Sequence, residues 1–126
     1  MTVIRGGEDC GNSPKNIFLR DLTIAFARGD AKDILDRVTE DILWNFAGRR
    51  TIRGKQDFAA ALEQMKNDPV VEITIRHVVS HGKAGAVNGT RKLESGTNTA
   101  FCDVYEFSSA KGTSVREITS YVIEAG

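Results

Sequence analysis

The sequence predicts an α+β domain in which three helices from the N-terminal half pack on one face of a cone-shaped, strongly twisted sheet, antiparallel or mixed. Three observations carry that expectation. Residues 13–67 contain three stretches of helical period, residues 70–124 contain four stretches of period two, and only short clusters of turn residues separate those four. Strands that follow one another through tight turns pair antiparallel, and helices that precede them cover one face. A twisted sheet under three helices leaves a conical space between the layers, where a small ligand fits.

Residues 1–12 hold three glycines, mixed charge and no sustained period, and are expected to form a flexible tail ahead of a single domain at 13–126. Ser13 is a good N-cap, and Pro14 suits the first helical position, where its missing N–H costs nothing. The first helix is predicted to Arg28, with Phe18, Leu22 and Ala25 on its apolar stripe, Ile17, Ile24 and Phe26 widening it, and Gly29 as the stop. Asp30 caps a second, short helix to about Arg37 that buries Ile34, Leu35 and Val38. Asp41 to Phe46 reads as a strand because Ile42, Trp44 and Phe46 alternate with Leu43 and Asn45. Residues 47–54 read as a glycine-bounded connecting loop, with Arg49, Arg50 and Arg53 solvated or meeting an anion. A third helix follows from Lys55 to Asn67, turning Phe58, Leu62 and Met65 inward, and Pro69 closes it.

The texture then changes. Val71, Ile73, Ile75, His77 and Val79 share one face of a strand from Val70 to about Gly82. The next strand, Ala84 to Glu94, is expected to run through Asn88 and Gly89 with a bulge or a close backbone approach at the glycine. Turn residues already cluster on either side of it, at Gly82-Lys83 and at 95–98. Thr99 to Ser108 and Val115 to Ile123 complete the sheet, the last strand setting Arg116, Ile118, Ser120 and Val122 against Val115, Glu117, Thr119 and Tyr121.

Composition narrows the function. Seventeen Lys and Arg balance seventeen Asp and Glu, so the basic excess of a nucleic-acid binder is missing, as is any reason to expect an anionic membrane surface as partner. No apolar run approaches the roughly 20 residues of a membrane helix, and the first residues lack the apolar core of a signal peptide, so the expected location is cytoplasmic. Cys10 and Cys102 make neither a disulfide framework nor a thiolate metal site, and both are expected to be reduced, Cys102 as a small packing residue. His77 and His81 lie four apart on a strand without an evident third ligand, so neither metal nor organic cofactor is expected.

The chemistry concentrates in Phe101-Cys102-Asp103-Val104-Tyr105-Glu106-Phe107. Period two sets Phe101, Asp103, Tyr105 and Phe107 on one face, a carboxylate among three aromatics. If that face lines a cavity, desolvation raises the Asp103 pKa, and the protonated acid donates a hydrogen bond to a developing oxyanion. The plainer reading places Asp103 at an exposed strand end or in a structural hydrogen bond. His77, on the apolar face of its strand, reads as a satisfied core histidine or as the general acid or base that partners Asp103.

Phe26-Ala-Arg-Gly-Asp30, Trp44-Asn-Phe-Ala-Gly48 followed by Ile52-Arg-Gly-Lys-Gln-Asp-Phe58, and Asp103-Val-Tyr-Glu-Phe107 before the last hairpin carry a resemblance over residues 13–124. With the element order, they resemble the nuclear transport factor 2-like (cystatin-like) superfamily, in its SnoaL-like and ketosteroid-isomerase-like branch. That architecture hosts isomerases, cyclases, epoxide hydrolases, dehydratases and binding domains, so the resemblance implies fold more firmly than chemistry. Asp103 matches the acid that donates to the oxyanion in ketosteroid isomerases. The tyrosine of their first helix falls at Leu22 and their base aspartate at Phe46, so steroid isomerisation by that arrangement is not expected. The last-strand aspartate of the epoxide hydrolases falls at Ser120, which argues against that reaction too.

The candidate constellation is therefore Asp103 and His77 as catalytic groups, with Trp44, Phe46, Phe101, Tyr105, Ile118 and Ser120 around an apolar ligand, and Arg91 or Asn88 as an electrostatic partner. Three readings compete: an isomerase- or cyclase-like acid/base enzyme acting on a small carbonyl-bearing or aromatic metabolite, a non-catalytic binding module for such a molecule, and a partner-binding or dimerisation domain working through the open sheet face. The resemblance implies a homodimer through the sheet in all three.

Overall fold

A computed structural model describes residues 1–8 and 13–124. The expectation for Cys10, and for the tail at 9–12, lies outside those residues. The order is β1 (Val3–Gly6), α1 (Pro14–Arg28), α2 (Ala31–Asp36), β2 (Val38–Phe46), β3 (Arg50–Arg53), α3 (Lys55–Met65), β4 (Val70–His81), β5 (Ala84–Leu93), β6 (Asn98–Phe107) and β7 (Val115–Glu124). The seven strands form one mixed sheet in the order β1-β4-β5-β6-β7-β2-β3, with β1 parallel to β4 and β2 parallel to β7.

The helix signals act where the sequence sets them. The Ser13 side chain accepts from the Asn16 N–H, Pro14 takes the first turn, and Gly29 closes α1 at φ 68°, a left-handed conformation that a side chain would strain. Asp30 accepts from the Asp33 N–H to start α2. Leu19 and Leu22 of α1, Ile34 of α2 and Phe58 of α3 then meet Ile42, Ile73, Val87, Tyr105, Phe107 and Ile118 of the sheet in one apolar core.

Two segments differ from expectation. Residues 3–6, read as part of a loose tail, form β1, whose backbone pairs with the start of β4 from Val3 opposite Glu72 to Gly6 opposite Ile75. Four residues are too few for alternation to show, and the stabilisation comes from edge hydrogen bonds that have no sequence period. The loop at 47–54 contains β3, which turns back on β2 through Gly48 and pairs Trp44 with Ile52. Its arginines hide the strand, because only Ile52 of its four residues is buried.

Gly89 fixes the register of the sheet's centre. A Cβ there would collide with the Thr74 carbonyl oxygen, so β4 crosses β5 closer than a side chain permits. Directly alongside, the ladder shifts between Ile75 and His77: Ile75 faces Gly89, His77 faces Asn88, and Arg76 is the extra residue of a bulge. β5 itself runs unbroken, as expected for 84–94. One added residue reverses the alternation of β4, so Ile73 and Ile75 are buried before the bulge, and Val78 packs inward after it.

Candidate functional site

A pocket of about 480 Å³ opens between the C-terminal ends of α1 and α3 and the inner face of the sheet. Phe26, Ile34, Trp44, Phe46, Leu62, Val70 and Ile118 contribute apolar wall, and Arg91, Thr99, Asp103 and Ser120 polar groups. Thr2, just ahead of β1, reaches the rim, where its hydroxyl donates to the Val70 carbonyl at 2.9 Å. The residue leading into the N-terminal strand thus belongs to the pocket mouth.

Asp103 sits on β6 directly opposite Ser120 of β7 and is 7% exposed. Arg91 Nη2 donates to its Oδ2 at 3.2 Å, while Oδ1 has no hydrogen-bond partner. Burial pushes the Asp103 carboxyl above the ordinary carboxylate range. The Arg91 charge and the hydroxyl of Ser120 pull it back but do not win. Ser120 is itself committed as an acceptor, because Trp44 Nε1 donates to its Oγ at 2.9 Å. Its single proton is therefore the one left to turn toward Asp103.

Trp44 is the centre of an aromatic wall, with ring centroids 4.5 Å from Phe46, 5.1 Å from Phe58 and 5.3 Å from Phe26. Arg91, part of the lining, lies over the Phe101 ring at 3.9 Å, a cation–π contact that steadies its guanidinium. Of the residues expected around a ligand, Trp44, Phe46, Ile118 and Ser120 line the pocket together with Asp103. Phe101 supports it from behind Arg91. Tyr105 is buried in the core instead, its hydroxyl 3.4 Å from Thr23 Oγ1, and burial pushes its phenol far above the ordinary range.

His77 is the correction. It is exposed on the outer face of the sheet, where Nδ1 lies 3.0 Å from the Asn88 side-chain oxygen, and the bulge at Arg76 is the reason. Asn88 goes with it. Arg91, the other expected electrostatic partner, is the residue that meets Asp103. A stronger signal for Arg91 was available in the period-two row Gly85, Val87, Gly89, Arg91, an arginine closing a face otherwise small and apolar. Among the described residues, no group of three or more His, Cys, Asp or Glu could hold a metal ion, and no helix is long and apolar enough to cross a membrane.

A family model described as SnoaL-like domain matches residues 19–117. No curated protein matches the sequence. Solved structures similar to this chain include an LEH-like epoxide hydrolase from M. tuberculosis, 19% identical over 90% of this chain and 86% of that one, at TM-score 0.74. The epoxide hydrolase/cyclase-like enzyme SalBIII, with a role in pyran ring formation in the polyether salinomycin, is 15% identical over 86% and 90%, at TM-score 0.73. A nuclear transport factor 2-like protein of unknown function from Burkholderia xenovorans is 17% identical over 89% and 84%, at TM-score 0.74. At such identities the likeness is one of fold.

Proposed function

The chain belongs to the SnoaL-like domain family, and from that premise we propose that its pocket takes a small, mostly apolar, carbonyl-bearing molecule with which Asp103 exchanges a proton, as in an isomerase or cyclase that needs no cofactor. The supporting observation is the Asp103 carboxyl: buried, part of the pocket lining, held at Oδ2 by Arg91 and faced by the Ser120 hydroxyl. A carboxyl pushed above its ordinary range is a better base when ionised and a usable acid when protonated. Asp103 as carboxylate removes a proton from the carbon beside the ligand's carbonyl, and the C–H electron pair moves into the enolate. The same carboxyl returns that proton to another carbon of the conjugated system in an isomerisation. In a cyclisation it protonates the alkoxide formed when the enolate attacks a second carbonyl. With His77 outside, one residue makes both transfers, while the aromatic wall excludes water.

The experiment is a titration of Trp44 fluorescence with a panel of apolar ketones, followed by NMR of ligand α-protons in D2O. Saturable quenching is expected, with exchange that Asp103→Asn abolishes and His77→Ala leaves unchanged. Saturable binding without exchange would support a binding module instead, and no quenching by any ketone would remove the pocket from consideration.

We also propose that two copies pair through the outer sheet face, in the cytoplasm. Val79, Ala86 and Val104 are successive neighbours across β4, β5 and β6, and Tyr121 and Ile123 stand exposed beside them on β7. Such a patch is a poor solvent-facing surface. Sedimentation is expected to give a dimer that Val104→Lys with Tyr121→Asp converts to a monomer; a wild-type monomer at tens of micromolar, on the order of ordinary dimer affinities, would contradict it.

A further inference from the structure

Arg91 is underused by the protein around it. Its side chain is 19% exposed, yet of the five N–H donors of a guanidinium only Nη2 has an acceptor among the described residues, Asp103 Oδ2 at 3.2 Å. The other nitrogens are not fully buried, so a ligand that displaces the water on them must supply acceptors of its own. Phe101 holds the guanidinium carbon 3.9 Å from its ring centroid, and a guanidinium is a planar fork of donors that meets a carboxylate with two parallel hydrogen bonds.

The charges of the lining agree. Arg28, Lys66 and Arg91 contribute to it against Asp68 and Asp103, although the whole chain carries no net charge. Lys66 is paired with Glu63, and Asp68 spends both oxygens on the backbone N–H and hydroxyl of Ser95. Asp103 is then the one carboxylate that answers Arg91 in the interior.

We infer that the ligand of this pocket carries an anionic oxygen group, in the simplest case a carboxylate, and that Arg91 receives it while the apolar body lies against Trp44, Phe46 and Ile118. The inference rests on the proposed use of the pocket and narrows its substrate class to carbonyl compounds that also carry an acid group. Arg91 thereby becomes the residue that selects the ligand and sets its body beside Asp103.

Naphthalene-2-carboxylate and its uncharged isostere naphthalene-2-carboxamide separate the two ideas by calorimetry, with Trp44 quenching alongside. The wild-type protein is expected to bind the carboxylate about tenfold to a hundredfold more tightly than the carboxamide, the usual gain for hydrogen bonds to a charged group. Arg91→Met is expected to abolish that preference. Because that variant leaves Asp103 buried without its cation, Arg91→Met with Asp103→Asn is measured as well, and it too is expected to show none. Equal affinity for the two compounds in the wild type, or a preference that survives in either variant, would overturn the inference while leaving the pocket as a ligand site. Failure of both compounds to bind, with Trp44 unresponsive to the ketones as well, would overturn the inference and the proposed function together.

Discussion

Asp103→Asn is expected to slow proton exchange with a bound ketone by about a hundredfold to ten-thousandfold, the usual contribution of a positioned acid/base group, and at the same time to make the protein more stable at neutral pH. The sign of the second effect follows from burial. In the folded chain the Asp103 carboxyl is pushed above its unfolded value, so the native state binds more protons than the unfolded one between the two. Stability tied to this group is therefore complete below the unfolded value and is lost as pH rises through the folded one. An amide keeps the neutral form at every pH. The variant's advantage should grow as pH rises through the folded value and fade as pH falls toward the ordinary carboxylate range near about 4. Paired urea titrations across that range check the trend, and an advantage that grows on acidification would contradict it. A residue that costs stability while lining a pocket is the pattern expected of a functional group rather than a structural one.

Gly89→Val is expected to destabilise the protein by about 3 kcal/mol or more, the upper end for forcing atoms into a packed site. The obstacle is the Thr74 carbonyl, which is backbone and cannot rotate away. Relief requires β4 and β5 to part beside the bulge that turns His77 outward. Thr90→Val, exposed on the outer face of the same strand, is the control, expected within about 0.5 kcal/mol of wild type. Urea midpoints for both variants decide the matter, and a Gly89→Val loss below about 1 kcal/mol would mean that the close crossing is not rigid.

These two positions also show how far the sequence could be read. Asp103 was legible because β6 is regular from Asn98 to Phe107, so period two places its carboxyl and its aromatic neighbours correctly on one face. Ser13, Pro14, Gly29 and Asp30 were legible for a similar reason: each acts through its own backbone or the next turn. His77 was misplaced because a bulge is a property of two strands, and the close crossing at Gly89 beside it lies on the partner. Reading β4 alone, no period reveals that Arg76 is extra. β1 escaped notice because its four residues are held by the edge of β4 rather than by any pattern of their own. Tyr105 shared the inward face of Asp103 yet lies in the core beneath α1, since period two fixes a side of the sheet and not a depth along it.

In the folded chain the burial of the Asp103 carboxyl outweighs its cation. Carboxyl-carbon NMR of the uniformly labelled protein, with the Asp103 resonance identified by its absence in Asp103→Asn, measures this directly. The account predicts a titration midpoint above the ordinary aspartate value of about 3.9. A midpoint at or below that value would show that Arg91 and Ser120 hold Asp103 as a permanent carboxylate, and the assignment of an exchangeable proton to this pocket would fall.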